Sequence, residues 1–432
     1  MLNQSKIEFD SDLTLADEGL FNTARKAELS SELVNIGGCP TRRIEGEFWT
    51  AGQRQASSIH EVSYRACFKP QLPGYFVKRF TPTDGIVYDP FSGRGTTVIE
   101  AALRGRRVIA NDANPLSLIL ACSRLNVPDL VDIADRLKKI QYEEKSKANI
   151  DLTMFYDSRT ESEIASLRNY LKHRRDSGLE DRVDSWIRMV ATNRLTGHSP
   201  GFFSVYTFPP NQAVSAESQV KINEKRGQKP EYRDTKAIIL KKSRQLLGGL
   251  SEEDIANLRN AARTALFITG DASDTRTIPD EHVHLTVTSP PFLNIVQYAD
   301  DNWLRCWFND LPIEGIASRI TMAKTVEAWC DVMGRVFGEL FRITRPGGAV
   351  AFEVGEVRNG RIKLEDYVVP LGVKSGFVCE AVLINSQQFT KTANIWGISN
   401  NSRVPSSRLI SSRCGSAGVV VDPTLGQPVQ FV

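Results

Sequence analysis

One stretch, residues 86–112, leaves little choice of fold class. Ile86-Val87-Tyr88 is a short β-branched and aromatic run, as expected of a buried strand. It runs into Asp89-Pro90-Phe91-Ser92-Gly93-Arg94-Gly95-Thr96-Thr97. Gly93 and Gly95 let the backbone turn tightly and approach a ligand closely. Beyond them Val98, Ile99, Ala102 and Leu103 fall on one side of a helix. A second strand, residues 107–110, ends in Asn111-Asp112. Strand, glycine loop, helix, strand and acid together have the size of a βαβ unit. Such a unit commits the chain to a largely parallel sheet covered by helices.

The same stretch suggests chemistry. A helix starting at Thr96-Thr97 offers free N–H groups that favour a carboxylate or phosphate. Asp112, at a strand tip, is placed to accept hydrogen bonds from ribose hydroxyls. Its bland alternative is a helix cap before Asn114-Pro115. The loop has neither the Gly-Lys-Ser/Thr ending of a nucleotide-triphosphate loop nor the full GxGxxG of a dinucleotide fold.

A second feature comes far downstream. The apolar run 283–287 reads as a buried strand, and Thr288-Ser289-Pro290-Pro291-Phe292 ends it. Prolines cannot extend a sheet ladder. A Ser-Pro-Pro turn therefore leaves carbonyls with few N–H groups competing for them, and Phe292 sets an aromatic plate beside them. That combination suits a planar base with an exocyclic amine. Taken alone, it reads first as a proline-bounded turn with a core aromatic, and the rest of the chain reverses that order. A strand at 265–269 precedes it and ends in Gly270-Asp271-Ala272, another strand-tip acid.

With 432 residues, 41% hydrophobic and 24% charged, the chain reads as a globular protein with a large core. No run of about 18 apolar residues suggests a membrane span, and the polar, acidic start is unlike a signal peptide. Seven scattered cysteines and five histidines form no metal-binding pattern. A reduced cytoplasmic protein of bacterial type, without structural metal, is expected. The net charge of +3 says little about nucleic acid.

Residues 1–64 read as an N-terminal extension, helix-leaning over 1–40. Residues 65–124 and 264–396 read as the catalytic domain and 125–263 as a large, mostly helical insert. Helices are expected over 131–148, 161–178, 180–193, 302–308 and 326–341. The last strands are expected near 349–354, 377–385 and 388–396, and 397–432 reads as a loop-like tail. In the insert, residues 221–244 hold nine Lys/Arg against three Asp/Glu. Lys221, Lys225, Arg226, Lys229 and Arg233 are candidates for phosphate contacts. Phe202, Phe203, Tyr206 and Phe208 either stack on bases or pin their own loop.

Taken together, Lys69-Pro-Gln-Leu-Pro73, the 89–97 loop, Asp112, Asp271 and Ser289-Pro-Pro-Phe292 resemble the DNA amino-methyltransferases. These use S-adenosylmethionine to methylate N4 of cytosine or N6 of adenine. The resemblance implies a class I α/β methyltransferase fold: a Rossmann-like, seven-stranded mixed sheet with a reversed last strand. It implies that Asp89, Phe91, Gly93, Gly95, Thr96 and Thr97 cradle the methionine part of the cofactor and Asp112 holds its ribose. Asp271 and Ala272 would meet the adenine, and Lys69 and Pro70 would help close over the methionyl end. Ser289, Pro290, Pro291 and Phe292 would form the target-base pocket. A leading serine leans towards cytosine N4, with adenine N6 as runner-up. Further off stand an RNA amino-methyltransferase and an inactive DNA-binding regulator. Double-stranded DNA and a cognate restriction endonuclease would be the partners. The insert departs from the family's familiar layouts by falling between the second and third strands; its size and basic tract suggest DNA recognition.

Overall fold

The computed structural model describes residues 30–46, 56–64, 67–208, 213–291, 301–312, 323, 325–354, 362–387 and 404–411. Phe292 lies outside them. The strands are β1 (Ser30–Ile36), β2 (Cys39–Gly46), β3 (Ile86–Asp89), β4 (Arg107–Asp112), β5 (Leu266–Thr269), β6 (Val283–Thr288), β7 (Thr344–Val354), β8 (Ala381–Gln387) and β9 (Val404–Ser411). Among the described residues they form one sheet in the order β1-β2-β8-β9-β7-β6-β3-β4-β5.

From β5 to β7 every neighbouring pair is parallel. The chain fills β3, β4 and β5 in one direction, then returns to lay β6 and β7 on the other side of β3. β9 enters between β7 and β8, antiparallel to both. β3 to β9, seven strands with the last one reversed, have the class I methyltransferase arrangement that the resemblance implied, and β2 and β1 extend the sheet beyond β8.

Alternation along the strands divides the core into two layers. Val87, Val108, Ala110, Leu285 and Val287 point to one face. Ile86, Tyr88, Ile109, Val350 and Phe352 point to the other. The first face is covered by α1 (Gln71–Phe80), α2 (Thr96–Leu103), α3 (Leu116–Leu125) and the insert. The insert supplies α4 (Leu130–Lys139), α5 (Ser158–Asp176), α6 (Arg182–Thr192), α7 (Ala216–Arg226), α8 (Thr235–Leu247) and α9 (Glu252–Thr264). The short α10 (Trp303–Asn309) joins this layer through Leu304 and Phe308. α11 (Val326–Ile343) and α12 (Glu365–Lys374) cover the second face.

The insert is continuous with the catalytic core. Phe155, Leu167, Trp186 and Ile187 share one apolar cluster with Val87 and Leu285. Local chemistry starts its helices: capping boxes Asp181/Asp184 on α6 and Ser251/Asp254 on α9, and an Asp234 cap on α8.

Three expectations need correction. Residues 30–46 are a hairpin, not a helix-leaning extension. β1 pairs antiparallel with β2 around Gly37-Gly38, at φ +58° and +88°, and β2 then extends the sheet beside β8. A two-residue turn with positive φ at both positions suits glycine. The helix expected over 131–148 ends at Lys139, because the backbone beyond it bonds to α5 instead: Glu143 N donates to Ser166 Oγ at 3.0 Å. The tail expected to be loop contains β9, held by pairing on both sides. Residues 388–396, expected as a strand, lie outside the described residues.

Candidate active site

Because β3, β4, β5 and β6 are parallel, their carboxyl ends meet at one edge of the sheet. There the chain reverses its filling order, the usual place for a ligand crevice in open α/β sheets. One cavity opens at this edge. It is lined by Pro90, Phe91 and Gly93 after β3, Asp112, Ala113 and Asn114 after β4, Gly270, Asp271 and Ala272 after β5, and Ser289 and Pro291 after β6. Three sequence patterns separated by up to two hundred residues thus share one space.

Asp112 organises the glycine loop. Its Oδ2 accepts from Gly93 N at 2.7 Å and its Oδ1 from Asn114 N at 2.8 Å. Each carboxylate oxygen can accept a further bond, so two vicinal hydroxyls of a ribose fit it. Burial in this low-dielectric edge pushes the Asp112 carboxyl up to about 6, against its two backbone hydrogen bonds. The helix-cap alternative belongs to its neighbour: Asn114 Oδ1 accepts from Leu116 N at 3.0 Å. Asn114 Nδ2 is buried without a partner among the described residues. Since Asn114 lines the cavity, this orphaned donor suits a polar ligand there.

Asp89 lies behind the cavity. It is buried, and its Oδ1 accepts from Thr288 Oγ1 at 2.7 Å and Phe91 N at 3.2 Å. That stitches the end of β3 to the end of β6, where glycine loop and Ser-Pro-Pro turn must keep register. Burial drives its carboxyl up to about 7, opposed by these hydrogen bonds.

The two loop glycines do different work. Gly93, at φ +53°, lines the cavity, and a Cβ there would make ordinary contacts, the nearest with the Tyr64 ring at 3.4 Å and with Phe91 O at 3.9 Å. Gly95, at φ +80°, does not line it; a Cβ there would meet Ala121 Cβ at 2.6 Å. Its smallness serves the close packing of α2 on α3. Thr96 and Thr97 are buried at the start of α2, and Thr97 Oγ1 donates to Val287 O at 3.0 Å, fastening α2 to β6. Lys69 is exposed and Pro70 is buried at the start of α1; neither lines the cavity.

Sequence reasoning assigned no role to the opposite wall. Trp329, Val332, Met333 and Val336, along α11, close the cavity with apolar surface. Trp329 Nε1 donates to Pro291 O at 3.0 Å, locking the turn. Tyr64 lines the cavity from the N-terminal side. Its segment is riveted to the glycine loop by two arginines. Arg94 donates to His60 O and Val62 O at 3.2 and 2.9 Å. Arg124, fully buried, donates to Ile59 O at 3.1 Å, to Leu120 O at 2.8 Å and to Arg94 O. The helical spacing of Trp329, Val332, Met333 and Val336 puts them on one face of α11, but only the topology brings that face to this edge.

The basic tract does not reach the cavity. Lys221, Lys225, Arg226 and Lys229 are exposed on α7 and the loop after it. Arg226 lies 3.9 Å over the Tyr206 ring, and Arg233 sits 3.7 Å from Glu231. Phe202 and Phe203 are buried and Tyr206 stacks on Phe208, so the two phenylalanines pin their loop.

Residues fit the expected cofactor: a carboxylate for ribose hydroxyls, a second acid and an apolar slot for a purine, and a buried amide donor. Two solved structures of the rRNA methyltransferase aviRa from Streptomyces viridochromogenes align at 12–13% identity, over 82% of this chain and 89–90% of theirs, with a TM-score of 0.30. A malonyl-[acyl-carrier protein] O-methyltransferase from Pectobacterium atrosepticum is 41% identical over 56 residues, 13% of this chain and 22% of that protein. The type II methyltransferase M.MjaII from Methanocaldococcus jannaschii is 34% identical over 89 residues, 20% of this chain and 16% of that protein. The chain thus spans about a fifth of the length of these curated relatives. The N6_N4_Mtase family model, DNA methylase, matches residues 18–118. That stretch holds the glycine loop and Asp112, so over it the chain is similar to the N4/N6 DNA methylases.

Proposed function

We propose that this protein transfers a methyl group from S-adenosylmethionine to the exocyclic N4 of cytosine in double-stranded DNA. The observation that carries the reading is the shared cavity: Gly93, Asp112, Asp271, Ser289 and Pro291 line one space. A donor site and a base site at the same edge are what direct transfer requires.

When bound, the cofactor supplies a methyl group on a sulfonium. Asp112 would hold its ribose, Asp271 and Ala272 its adenine, against the Trp329–Val336 wall. Phe91 and Gly93 would lie along its remainder, with Asp89, Gly95, Thr96 and Thr97 fixing the loop from behind. The protein's own task is the acceptor. An amine on cytosine shares its lone pair with the ring and is a poor nucleophile. Ser289 Oγ and the Pro290 carbonyl would accept its two hydrogens and favour a tetrahedral nitrogen with a localised lone pair. Pro291 keeps its own carbonyl on Trp329, holding the turn rigid while the base sits. Phe292 would stack on the extruded base, offsetting part of the few kcal/mol of lost base stacking. The proton leaves after the nitrogen has acquired its methyl, so a strong general base is unnecessary.

The test is methyl incorporation from labelled cofactor into duplex DNA, with RNA in parallel, followed by digestion to nucleosides. The reading expects N4-methylcytosine. N6-methyladenine would overturn the base, label in RNA alone the polymer, and cofactor binding without label the activity.

A further inference from the structure

Two residues beyond Asp112 the chain leaves a hydrogen-bond donor unused. Asn114 is 1% exposed and lines the cavity. Its Oδ1 accepts from Leu116 N at 3.0 Å, at the start of α3. That bond fixes the orientation of the amide, because turning it over would set one N–H against another. The nitrogen, Nδ2, is the end that remains, and it has no hydrogen-bond partner among the described residues. A buried donor in that state bears its full desolvation cost until something accepts from it.

Other buried asparagines are treated differently. Asn111, Asn193 and Asn309 also hold a buried atom without a partner, but in each it is the oxygen. Their nitrogens are used: Asn111 Nδ2 on Pro90 O and Gly270 O, both at 3.1 Å, Asn193 Nδ2 on Met189 O at 3.2 Å, and Asn309 Nδ2 on Thr192 Oγ1 at 2.9 Å. None of these three lines the cavity. Among the described residues that do line it, the other side-chain N–H belongs to Trp329 and is spent on Pro291 O. Asn114 thus holds the side-chain N–H that these residues still offer to a ligand.

The neighbouring acid decides what it meets. Asn114 N donates to Asp112 Oδ1 at 2.8 Å, so the unused amide belongs to a residue already bonded to the ribose-holding carboxylate. A carboxylate or phosphate would suit the amide but not the acid beside it. A hydroxyl suits both, since it donates its hydrogen and still accepts on oxygen. We propose that Asn114 donates to the ribose hydroxyl that Asp112 accepts from, and that the pair makes the cofactor end of the cavity selective for a ribonucleoside. This rests on the S-adenosylmethionine reading above. A ligand without that hydroxyl leaves a buried donor and a buried acceptor unpaired, and sites that bond a hydroxyl discriminate far more steeply than apolar ones. A deoxynucleotide within a strand has no 2′-hydroxyl, and its 3′-oxygen is esterified. On the DNA reading, the substrate's own nucleosides are thereby kept out of the cofactor's place.

The experiment titrates the full chain calorimetrically with S-adenosylhomocysteine and with its 2′-deoxy and 3′-deoxy analogues. Wild type should bind one of the two analogues at least about tenfold more weakly than the parent, the equivalent of one neutral hydrogen bond. In Asn114→Ser the shorter side chain can still accept from Leu116 N but presents no amide. That variant should bind S-adenosylhomocysteine about tenfold more weakly and lose little on the discriminated analogue. The ratio between the two ligands should therefore shrink by a similar factor, while the other analogue follows the parent. Equal losses on all three ligands would make Asn114 a structural cap and overturn the proposal. So would no loss on any of them, or a wild type that binds all three alike. None of these outcomes touches the S-adenosylmethionine reading, which falls, and the proposal with it, if wild type binds none of the three. Should Asn114→Ser not fold, Asn114→Asp, whose carboxylate keeps an acceptor for Leu116 N and lacks the donor, carries the same comparison of ratios.

Discussion

Gly93 and Gly95 both sit in the glycine loop at positive φ, yet the geometry separates their roles, and alanine at each should show it. At Gly95 a methyl would sit 2.6 Å from Ala121 Cβ and 3.3 Å from Ala121 Cα. The neighbour is packed helix, so α2 must move off α3. Left-handed backbone costs a non-glycine residue about 1–2 kcal/mol, and overpacking adds about 1–3 kcal/mol. Gly95→Ala should therefore lose roughly 2–5 kcal/mol of unfolding free energy by the sum of those terms. At Gly93 the nearest atom is Tyr64 Cε1 at 3.4 Å, and the residue lines the cavity. Gly93→Ala should cost only the backbone term, about 1–2 kcal/mol, while the methyl crowds the ligand and weakens cofactor binding by about tenfold or more, the equivalent of about 1.4 kcal/mol. Urea unfolding and calorimetric titration with S-adenosylhomocysteine read the two effects separately. Full stability in Gly95→Ala, or a Gly93→Ala protein that is the more destabilised of the two and binds cofactor normally, would refute this division of roles.

Other expectations follow from the same geometry. Ser289→Ala should reduce turnover by about a hundredfold, as loss of one polar contact to the reacting group does, with cofactor affinity unchanged in calorimetry; equal loss of both would remove Ser289 from the acceptor side. Asp112 titrates near 6, and its ionised form is the one with two free acceptor positions. Cofactor affinity should therefore fall as pH drops below about 6, by up to about tenfold per pH unit, and Asp112→Asn should bind weakly without that dependence. Asp89 has a folded value near 7 against about 3.9 unfolded. The folded state then holds the extra proton between those limits, so stability falls as pH rises from about 4 to 7, by at most about 1.4 kcal/mol per unit. Asp89→Asn, whose amide oxygen still accepts from Thr288 and Phe91, should flatten that slope in urea titrations at several pH values.

What the sequence revealed and what it concealed follow from the range of the interactions. The glycine loop, Asp112, Asp271 and Ser289 each sit in a short pattern whose meaning is local: a strand tip, a tight turn, a stop imposed by proline. A parallel sheet then necessarily gathers such tips at one edge. Trp329 and Tyr64 carry no such pattern. Trp329 reads as one more core residue on α11, and its bond to Pro291 exists only because α11 crosses the sheet at that edge. Tyr64 is brought in by Arg94 and Arg124, which bond to backbone carbonyls and so leave no mark in side-chain pairing. β9 was unreadable for a related reason. Val-Pro-Ser-Ser-Arg-Leu-Ile-Ser has little strand propensity, and pairing with β7 and β8 decides it. The β1–β2 hairpin, by contrast, carried a signal in Gly37-Gly38 that outweighs the polar composition around it.

Direct transfer requires donor and acceptor to meet between Gly93 and Ser289. A crystal structure with S-adenosylhomocysteine and a cytosine-containing duplex tests it most directly. The ribose hydroxyls should lie on Asp112, the adenine against Asp271 and Trp329, and the amine of an extruded cytosine between Ser289 and the cofactor sulfur. A cofactor seated away from Asp112, or a base bound far from the Ser289-Pro290-Pro291 turn, would contradict it.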